Sequence, residues 1–585
     1  MSTPKPNPGS TIVLKFGGSV LKGADPYPAI VREIYRYHRE GWRVLAVVSA
    51  KEGRTDQLLA AHPALPSGTD AGTAAARVAI GEAESAAELG GALAASGVPV
   101  SVLSPAAVSF VASTERGDEL TATPRSIEPR AIERAFDRGE VVVLPGYTAV
   151  DEDARTVLLG RGGSDLTAIW LAAQWRRRIP DELAVRCRLI KDVDGLFASD
   201  PARPGPPPER YYRCHFDDAL ATDGSIVQHA AVRWAERLGV SFEIAALGSG
   251  RATIVSDESS VTATEPPAAS PVPTVLFGAG PVGCAIAAEL LREPSIDLRA
   301  VVVRDAETAR EGIPTDLITD DLDAALAIDD LALWIDATSG EEPASTAIAR
   351  AKARGVAVVT ANKEAAASSA NIAKSATVGG ATPILETIEG IVARTRGTID
   401  TVQLRGVLNG TANFLLDAVS AGEPFTDALA RAQGLGLAER DPHADLSGLD
   451  AARKLSLIAR AWGVPLDPQK VARSPITALD ISPPPRGTRL RQVSHLELIG
   501  GRLESARVTL DAIPHDDPLA TIDGAWNGVS IVVRTADGGE QEFTLRGVGA
   551  GPRPTALAVL GDVGECVRQL RRATRPHETL EEVSR

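Results

Sequence analysis

The sequence predicts an α/β protein built from two units in series, and three observations carry that expectation. Short apolar runs, each about one buried strand long, recur through the chain and end in glycine or carboxylate loops. A seam over residues 256–273 is rich in Ser, Thr, Ala and Pro and has no apolar periodicity. Such a segment cannot bury enough surface to fold alone, and its prolines favour an extended connector. Directly after it, residues 274–283 read T-V-L-F-G-A-G-P-V-G, a strand running into a glycine turn.

Composition narrows the class. At 585 residues the chain is too long for one core. It is 44% hydrophobic and 23% charged, as expected of a globular protein. Its net charge of -15 argues against non-specific nucleic-acid binding, which needs a basic face to displace counterions. The four cysteines, Cys187, Cys214, Cys284 and Cys566, form no C-x-x-C pair. That excludes a zinc ribbon or disulfide scaffold and fits a reducing compartment. No apolar run reaches membrane-spanning length, and the N-terminus has no signal-peptide pattern. The expectation is a cytoplasmic enzyme with small-molecule substrates and neither nucleic acid nor membrane as partner.

The first unit, residues 1–255, begins with the buried strand T-I-V-L-K-F at 11–16, followed by Gly17, Gly18 and Ser19. Paired glycines after a strand let backbone N–H groups approach a phosphate, and Lys15 adds a point charge; a plain strand-ending turn reads equally well. The strand at 43–48 ends in S-A-K-E-G-R-T-D, and Gly81-Glu82 lies in a helical stretch. The densest cluster is L-G-R-G-G-S-D-L-T over 159–167, leading into an Ala/Leu-rich helix. A glycine loop at a helix N-terminus is an anion site, although Ser164 or Asp165 can also serve as a simple N-cap. Arg188-Leu-Ile190 runs into K-D-V-D-G over 191–195. Together these place glycines and charges at several strand ends, the ligand-binding edge of an open α/β sheet.

The order K-F-G-G-S, V-V-S-A-x-x-G-x-T-D, G-E, L-G-R-G-G-S-D and D-V-D-G resembles aspartate kinase, of the amino-acid-kinase fold, across nearly the whole first unit. The resemblance implies that Lys15 stabilises a transferring phosphoryl group and that Gly17, Gly18 and Ser19 line the phosphate path. Thr55, Glu82, Arg161 and Ser164 would hold aspartate. Asp165 would organise the catalytic lysine and the Mg2+–ATP complex, and Asp192 and Asp194 would sit near the nucleotide. The family often reads G-A-K-V-L-H-P near the end of this unit, with its lysine on ATP; here 224–230 reads G-S-I-V-Q-H-A, so Ile226 takes that place. A threonine usually precedes D-V-D-G, and here it is Lys191. The expectation is that Lys191 restores the lost charge from the other side of the site.

In the second unit, Gly278, Gly280 and Gly283 form G-x-G-x-x-G between a strand and a helix, the context of a Rossmann-type dinucleotide fold. The next strand ends at Arg304-Asp305. Arg304 there favours the 2'-phosphate of NADP, with NAD use left open by Asp305; an exposed charged turn is the bland alternative. A strand at 356–360 ends in A-N-K-E, placing Lys363 for proton transfer, and Thr338 follows another strand. Residues 437–454 pack Glu439, Asp441, Asp445, Asp450 and Lys454 together, with Asp450 and Lys454 on one helix face. These could form a surface ion pair, a carboxylate positioning a reactive lysine, or a metal site; His443 reads as a loop residue.

The T-x-N-K element, G-V-L-N-G-T at 406–411, the A-E-x-D-P-x-x-D-x-x-G-x-D-A-x-R-K block and the glycine-rich stretch 547–556 resemble homoserine dehydrogenase. By that resemblance Lys363 and Lys454 handle the proton, Asp450 orients substrate or water, Glu439 holds the substrate ammonium, and Asn409 and Thr411 line the substrate site. Gly278, Gly280, Gly283, Arg304, Thr338 and Lys363 would bind the nicotinamide cofactor. Ser375 stands where the family usually carries a glutamate that helps hold a monovalent cation.

The expected organisation is a kinase-like open sheet over 1–255, a linker over 256–273, a Rossmann domain over 274–400, an α+β substrate and dimerisation domain over 401–540, and a C-terminal return to the nucleotide domain over 541–585. The expected functions are phosphorylation of L-aspartate by ATP with Mg2+ and NAD(P)H-dependent interconversion of aspartate semialdehyde and homoserine. The alternative is a dehydrogenase carrying an inactive kinase-like domain for oligomerisation or ligand sensing. Both families imply dimers or tetramers. Many fused enzymes of this type hold a pair of ACT regulatory domains between the two halves, and the seam is too short for them. Homoserine dehydrogenation assayed with added threonine should therefore show no inhibition through a module at this junction; inhibition at micromolar threonine would contradict it.

Overall fold

The computed structural model describes residues 6–60, 71–114, 118–199, 208–264, 269–368, 374–395, 398–435, 437–438, 441–477 and 484–573. The chain divides into two compact units, one built on residues 1–95 and 99–268, the other on residues 96–98 and 269–585.

The first unit runs through β1 (Thr11–Phe16), β2 (Arg43–Val48), β3 (Val100–Val102), β4 (Val111–Ser113), β5 (Thr123–Ser126), β6 (Val141–Pro145), β7 (Thr148–Val150) and β8 (Thr156–Leu158). It continues with β9 (Val185–Lys191), β10 (Glu209–His215), β11 (Phe242–Ala246), β12 (Thr253–Ser256) and β13 (Val261–Thr264). Nine strands form one sheet in the order β13-β10-β12-β11-β9-β1-β2-β6-β3, and β5-β4-β7-β8 form a small second sheet. The central strand β1 is buried throughout and pairs in parallel with β2 and β9. A continuous apolar run is what a parallel strand covered on both faces requires.

Side-chain alternation along these strands builds the site. Val13 and Leu189 pack in one core with Ile169 and Trp170 of the helix Gly163–Arg176. Lys15 stands two residues beyond Val13, and Lys191 two beyond Leu189, so both lysines share the face on which that helix lies. Pairing sets Lys15 opposite Leu189, which leaves Lys191 at the C-terminal edge of the sheet.

The segment read as a linker over 256–273 is partly structured. Val261–Thr264 pairs antiparallel with β10 and ends the sheet. Four residues are too few to show periodicity, but β-branched Val261 and Thr262 suit the open edge of β10. β14 (Val272–Phe277) then begins inside the proposed linker.

The second unit opens with a parallel sheet of β14, β15 (Ile296–Val302), β16 (Ile318–Thr319), β17 (Leu333–Asp336) and β18 (Ala357–Thr360), in the order β16-β15-β14-β17-β18. The chain leaves β14 in both lateral directions, so a crevice opens where β14 and β17 end together. The second sheet contains β19 (Ile399–Val407), β20 (Ala472–Arg473), β21 (Thr488–Ile499), β22 (Arg502–Pro514), β23 (Trp526–Thr535) and β24 (Glu540–Val548). Its order is β20-β22-β21-β19-β23-β24, and all its long strands pair antiparallel.

Two expected boundaries move. The helix Ile384–Thr395 buries Ile384, Leu385, Ile388 and Ile391 in the core of the antiparallel sheet, so that domain begins before residue 401. β24 belongs to the same sheet, and the return to the nucleotide domain starts with the helix Pro552–Ala573. Its Ala556, Val559 and Val563 pack with Leu276 and Ile286. Hydrophobic periodicity locates such helices but not the sheet that receives them. Among the described residues, no helix is long and apolar enough to cross a membrane.

Candidate functional site

In the first unit, one buried carboxylate lies between two ammonium groups. Lys15 Nζ is 2.7 Å from Asp165 Oδ1. Lys191 Nζ donates to Asp165 Oδ2 at 2.9 Å and to Oδ1 at 3.2 Å. The side chains are 6%, 4% and 12% exposed for Lys15, Asp165 and Lys191. Asp165 reaches them because it sits in the first turn of Gly163–Arg176, whose start is set by Gly162 at φ 76°. Gly17 leaves room for the lysine: a Cβ there would lie 3.1 Å from the Lys15 ammonium, which would have to shift slightly.

A cavity of about 340 Å³ opens beside this cluster. Lys15, Gly18, Thr55, Glu82, Ser164 and Asp165 are in its wall. Glu82 accepts from the Ala50 N–H at 3.3 Å, while its Oε2 is buried without a hydrogen-bond partner. Burial pushes the Glu82 carboxyl up to about 7, against the opposing pull of the Ala50 N–H and Lys15. Burial brings Lys15 down to about 8; Asp165 opposes that shift and Lys191 adds to it. Burial alone would raise Asp165, but the two ammonium groups hold it at about 2.

The other candidates divide. Ser19 lies beside Gly17, with its Oγ 3.8 Å from where a Gly17 Cβ would stand. Arg161 is exposed and does not line the cavity. Asp192 is half-exposed and faces Lys22 at 3.7 Å. Asp194 has a buried Oδ1 without a partner. Ile226 packs against the core, so no cation comes from that position. Tyr147, which sequence reasoning missed, joins the cavity wall at φ 65°. Its place directly after the β6 turn was the available signal.

The second unit repeats the motif on different scaffolding. Asp450 lies between Lys363, 2.6 Å from Oδ1, and Lys454, 2.9 Å from Oδ2. Lys363 opens the helix Lys363–Ser368 after β18, and the other two share the helix Leu449–Ala461. Lys454 also donates to the Leu408 carbonyl at 2.5 Å and is nearly buried, whereas the Lys363 side chain is 40% exposed. Burial lowers the Lys454 pKa despite the pull of Asp450. For Lys363, burial is outweighed by Asp450, and the pKa rises. Burial disfavours the charged Asp450, yet the two ammonium groups hold it far below the usual carboxylate range.

Asn409 caps the helix Gly410–Ser420 and donates to Asp445 Oδ1 at 2.9 Å, and Thr411 donates to the Leu437 carbonyl at 2.6 Å. The Asn409–Asp445 contact spans 36 residues and could not be read from the sequence. Glu439 lies outside the described residues. The Ser375 hydroxyl donates to Glu386, which brings a carboxylate to the position where Ser375 offers none. Among the described residues no cluster of three or more His, Cys, Asp or Glu side chains is arranged to hold a metal.

The glycine turn fits a dinucleotide. A Cβ on Gly283 would lie 2.0 Å from the Gly278 carbonyl, and one on Gly278 would meet the Ala337 backbone at 2.9 Å. Gly280 faces open space and precedes the helix Pro281–Leu290 without a side-chain cap, leaving first-turn N–H groups for an anion. Thr338 donates to buried Asp336 at 2.6 Å and accepts from Asn362 at 3.2 Å, so it also fixes the loop after β17. Arg304 stands exposed just after β15.

Comparison with known proteins agrees with this division. Residues 278–386 match the NAD-binding domain of homoserine dehydrogenase, and residues 383–563 match the homoserine dehydrogenase family. The homoserine dehydrogenase of a Synechocystis species is 34% identical over 320 residues, covering 49% of this chain and 71% of that protein. The chain belongs to the homoserine dehydrogenase family. Residues 10–245 match the amino acid kinase family, so a kinase domain precedes the dehydrogenase domains. The Mycobacterium tuberculosis homoserine dehydrogenase is 36% identical over 289 residues, covering 46% of this chain; the chain spans 63% of that relative's length. A solved homoserine dehydrogenase from Thiobacillus denitrificans has 27% identity and a TM-score of 0.45, over 53% of this chain and 76% of that one.

The crowded charges of the first unit give a direct expectation. NMR titration of 13C-lysine-labelled protein should place Lys15 near pH 8, so its ammonium is lost above that pH. In Lys191→Met the midpoint should rise, because one depressing charge is gone. A wild-type midpoint above 10 would contradict the buried cluster.

Proposed function

We propose that the chain is a bifunctional enzyme. Its first unit phosphorylates L-aspartate with Mg-ATP, and its second interconverts aspartate semialdehyde and homoserine with a nicotinamide cofactor. The carrying observation is the Lys363–Asp450–Lys454 cluster, set beside a dinucleotide crevice in a homoserine dehydrogenase family member.

The bound nicotinamide supplies hydride transfer at the hydroxyl-bearing carbon. The chain's own residues must move the accompanying proton. Lys454 is suited to that work. Leu408 and Asp450 take two of its N–H groups, so the remaining position is a third N–H in the ammonium and a lone pair in the amine. Its lowered pKa makes the amine accessible. Lys363 stays cationic and, being more exposed, can orient the substrate oxygen or pass the proton outward. Asp450 holds both lysines in place. Asp305 accepts from the Glu307 N–H and the Thr308 hydroxyl, so its carboxylate is engaged while Arg304 remains available. That favours a 2'-phosphate, hence NADP.

For the kinase half, phosphoryl transfer depends mainly on positioning and charge neutralisation. Lys15 beside the glycine turn supports an active kinase over a silent domain. Glu82, Thr55 and Ser164 in the cavity wall are suited to an amino-acid substrate, and cytoplasmic, oligomeric operation is the expected setting.

Two assays test the proposal. Aspartate- and ATP-dependent hydroxamate formation should be present in the wild type and fall about 10²-fold or more in Asp165→Ala; wild-type signal no higher than the variant's would refute kinase activity. Homoserine-dependent NADPH production should fall about 10²-fold or more in Lys363→Ala. An undiminished rate would remove Lys363 from the proton path.

A further inference from the structure

We infer that Arg453 is a positioning residue of the second site: by holding Glu364 it keeps the Lys363 ammonium on Asp450. The inference rests on the dehydrogenase reading for its effect on turnover, but its basis is geometric. Lys363 and Glu364 are the first two residues of the helix Lys363–Ser368. Asp450 and Arg453 stand about one turn apart on the helix Leu449–Ala461. Lys363 Nζ donates to Asp450 Oδ1 at 2.6 Å, and Arg453 Nη1 donates to Glu364 Oε1 at 3.2 Å. Neighbouring residues of one helix thus meet neighbouring turns of the other with opposite polarity. Farther along, Arg460 donates to the Ala366 carbonyl at 3.2 Å.

The two helices belong to different cores. Ala365 packs with Trp334 and Ile348 against the dinucleotide sheet, whereas Leu455 and Ile458 pack in the core of the antiparallel sheet. Polar contacts therefore decide where Lys363 goes, and charge alone leaves it a choice. Against the penalty of burial, three carboxylates favour its ammonium: Asp450, Glu364 and Asp445. Its side chain is 40% exposed and its four-carbon stem is flexible, so it can follow a carboxylate that is not engaged. Lys454 repels it across Asp450, which strengthens the pull of any rival. Both rivals are engaged. Asp445 accepts from Asn409 at 2.9 Å, and Glu364 accepts from Arg453. The Arg453–Glu364 pair is about one-third exposed on both sides, so it adds little to stability. Its effect is on the partner that the neighbouring lysine takes.

The test measures homoserine-dependent NADPH production by the full chain. Arg453→Met should lower kcat about tenfold, with the homoserine KM within about twofold, because Lys363 is drawn to the released Glu364. Removing that competitor should undo the loss: the double variant Arg453→Met, Glu364→Gln should recover to within about threefold of wild type, and Glu364→Gln alone should stay within about twofold. Wild-type kcat in Arg453→Met would overturn the inference. So would a double variant as slow as the single one, which would make the pair a plain strut between two helices. Should Arg453→Met fail to fold, Glu364→Gln decides, since a loss of about tenfold in that variant alone would also mean a strut. A wild type that does not oxidise homoserine would refute the dehydrogenase reading. NMR titration of Lys363 in 13C-lysine-labelled protein then tests the inference without turnover. Its midpoint should rise in Arg453→Met and fall back in the double variant; an unchanged midpoint would overturn the inference.

Discussion

A buried aspartate bracketed by two lysines is the interaction on which both halves of this chain are built. Burying three charges is costly, and a buried ion pair is seldom a net source of stability. Removing one partner is far worse, because it leaves an uncompensated charge in a poorly solvated place. Asp165 and Asp450 are therefore constraints: each fixes two ammonium groups that would otherwise repel, at separations set by the width of one carboxylate. The backbone around each is arranged to deliver these three side chains.

Delivery follows different routes. In the first unit both lysines come from strand ends, and strand parity puts them on the face that receives the helix bearing Asp165. In the second, the helix Leu449–Ala461 presents Asp450 and Lys454 one turn apart, and the Rossmann sheet contributes Lys363 from the end of β18. Each arrangement needs a parallel sheet ending in loops that can approach closely. At Gly283 a side chain would run into the Gly278 carbonyl and block that approach, and at Gly17 it would crowd the Lys15 ammonium.

What could be read from the sequence was what is local. The glycine turns, the lysines at strand ends and the i, i+4 pair of Asp450 and Lys454 each lie within one short segment. The bracketing itself was not legible. Asp165 and Lys191 are 26 residues apart, and Lys363 and Asp450 are 87 apart. Their contacts depend on helix docking and strand register that no local pattern encodes. Lys191 was expected to replace charge lost at Ile226, but not to share a carboxylate with Lys15. Glu386 against Ser375, and Asn409 against Asp445, are likewise products of tertiary packing. Periodicity also could not assign Val261–Thr264 to a sheet edge, since four residues carry no recognisable repeat.

The two clusters share a charge pattern yet differ in the way their lysines are tuned, and the difference matches the chemistry each would perform. In the second unit the pair is split: Lys454 is buried and lowered, and Lys363 is more exposed and raised. A split pair is suited to passing a proton, because the lowered member gives up its proton more easily than the raised one. In the first unit Lys15 is lowered to about 8, so it remains largely an ammonium at neutral pH. Phosphoryl transfer needs standing positive charge there, not a proton relay. An arriving polyanion would favour that charged form further. On the proposed reading, burial depth and the geometry of one shared carboxylate would turn the same three residue types toward charge neutralisation in one half and proton transfer in the other.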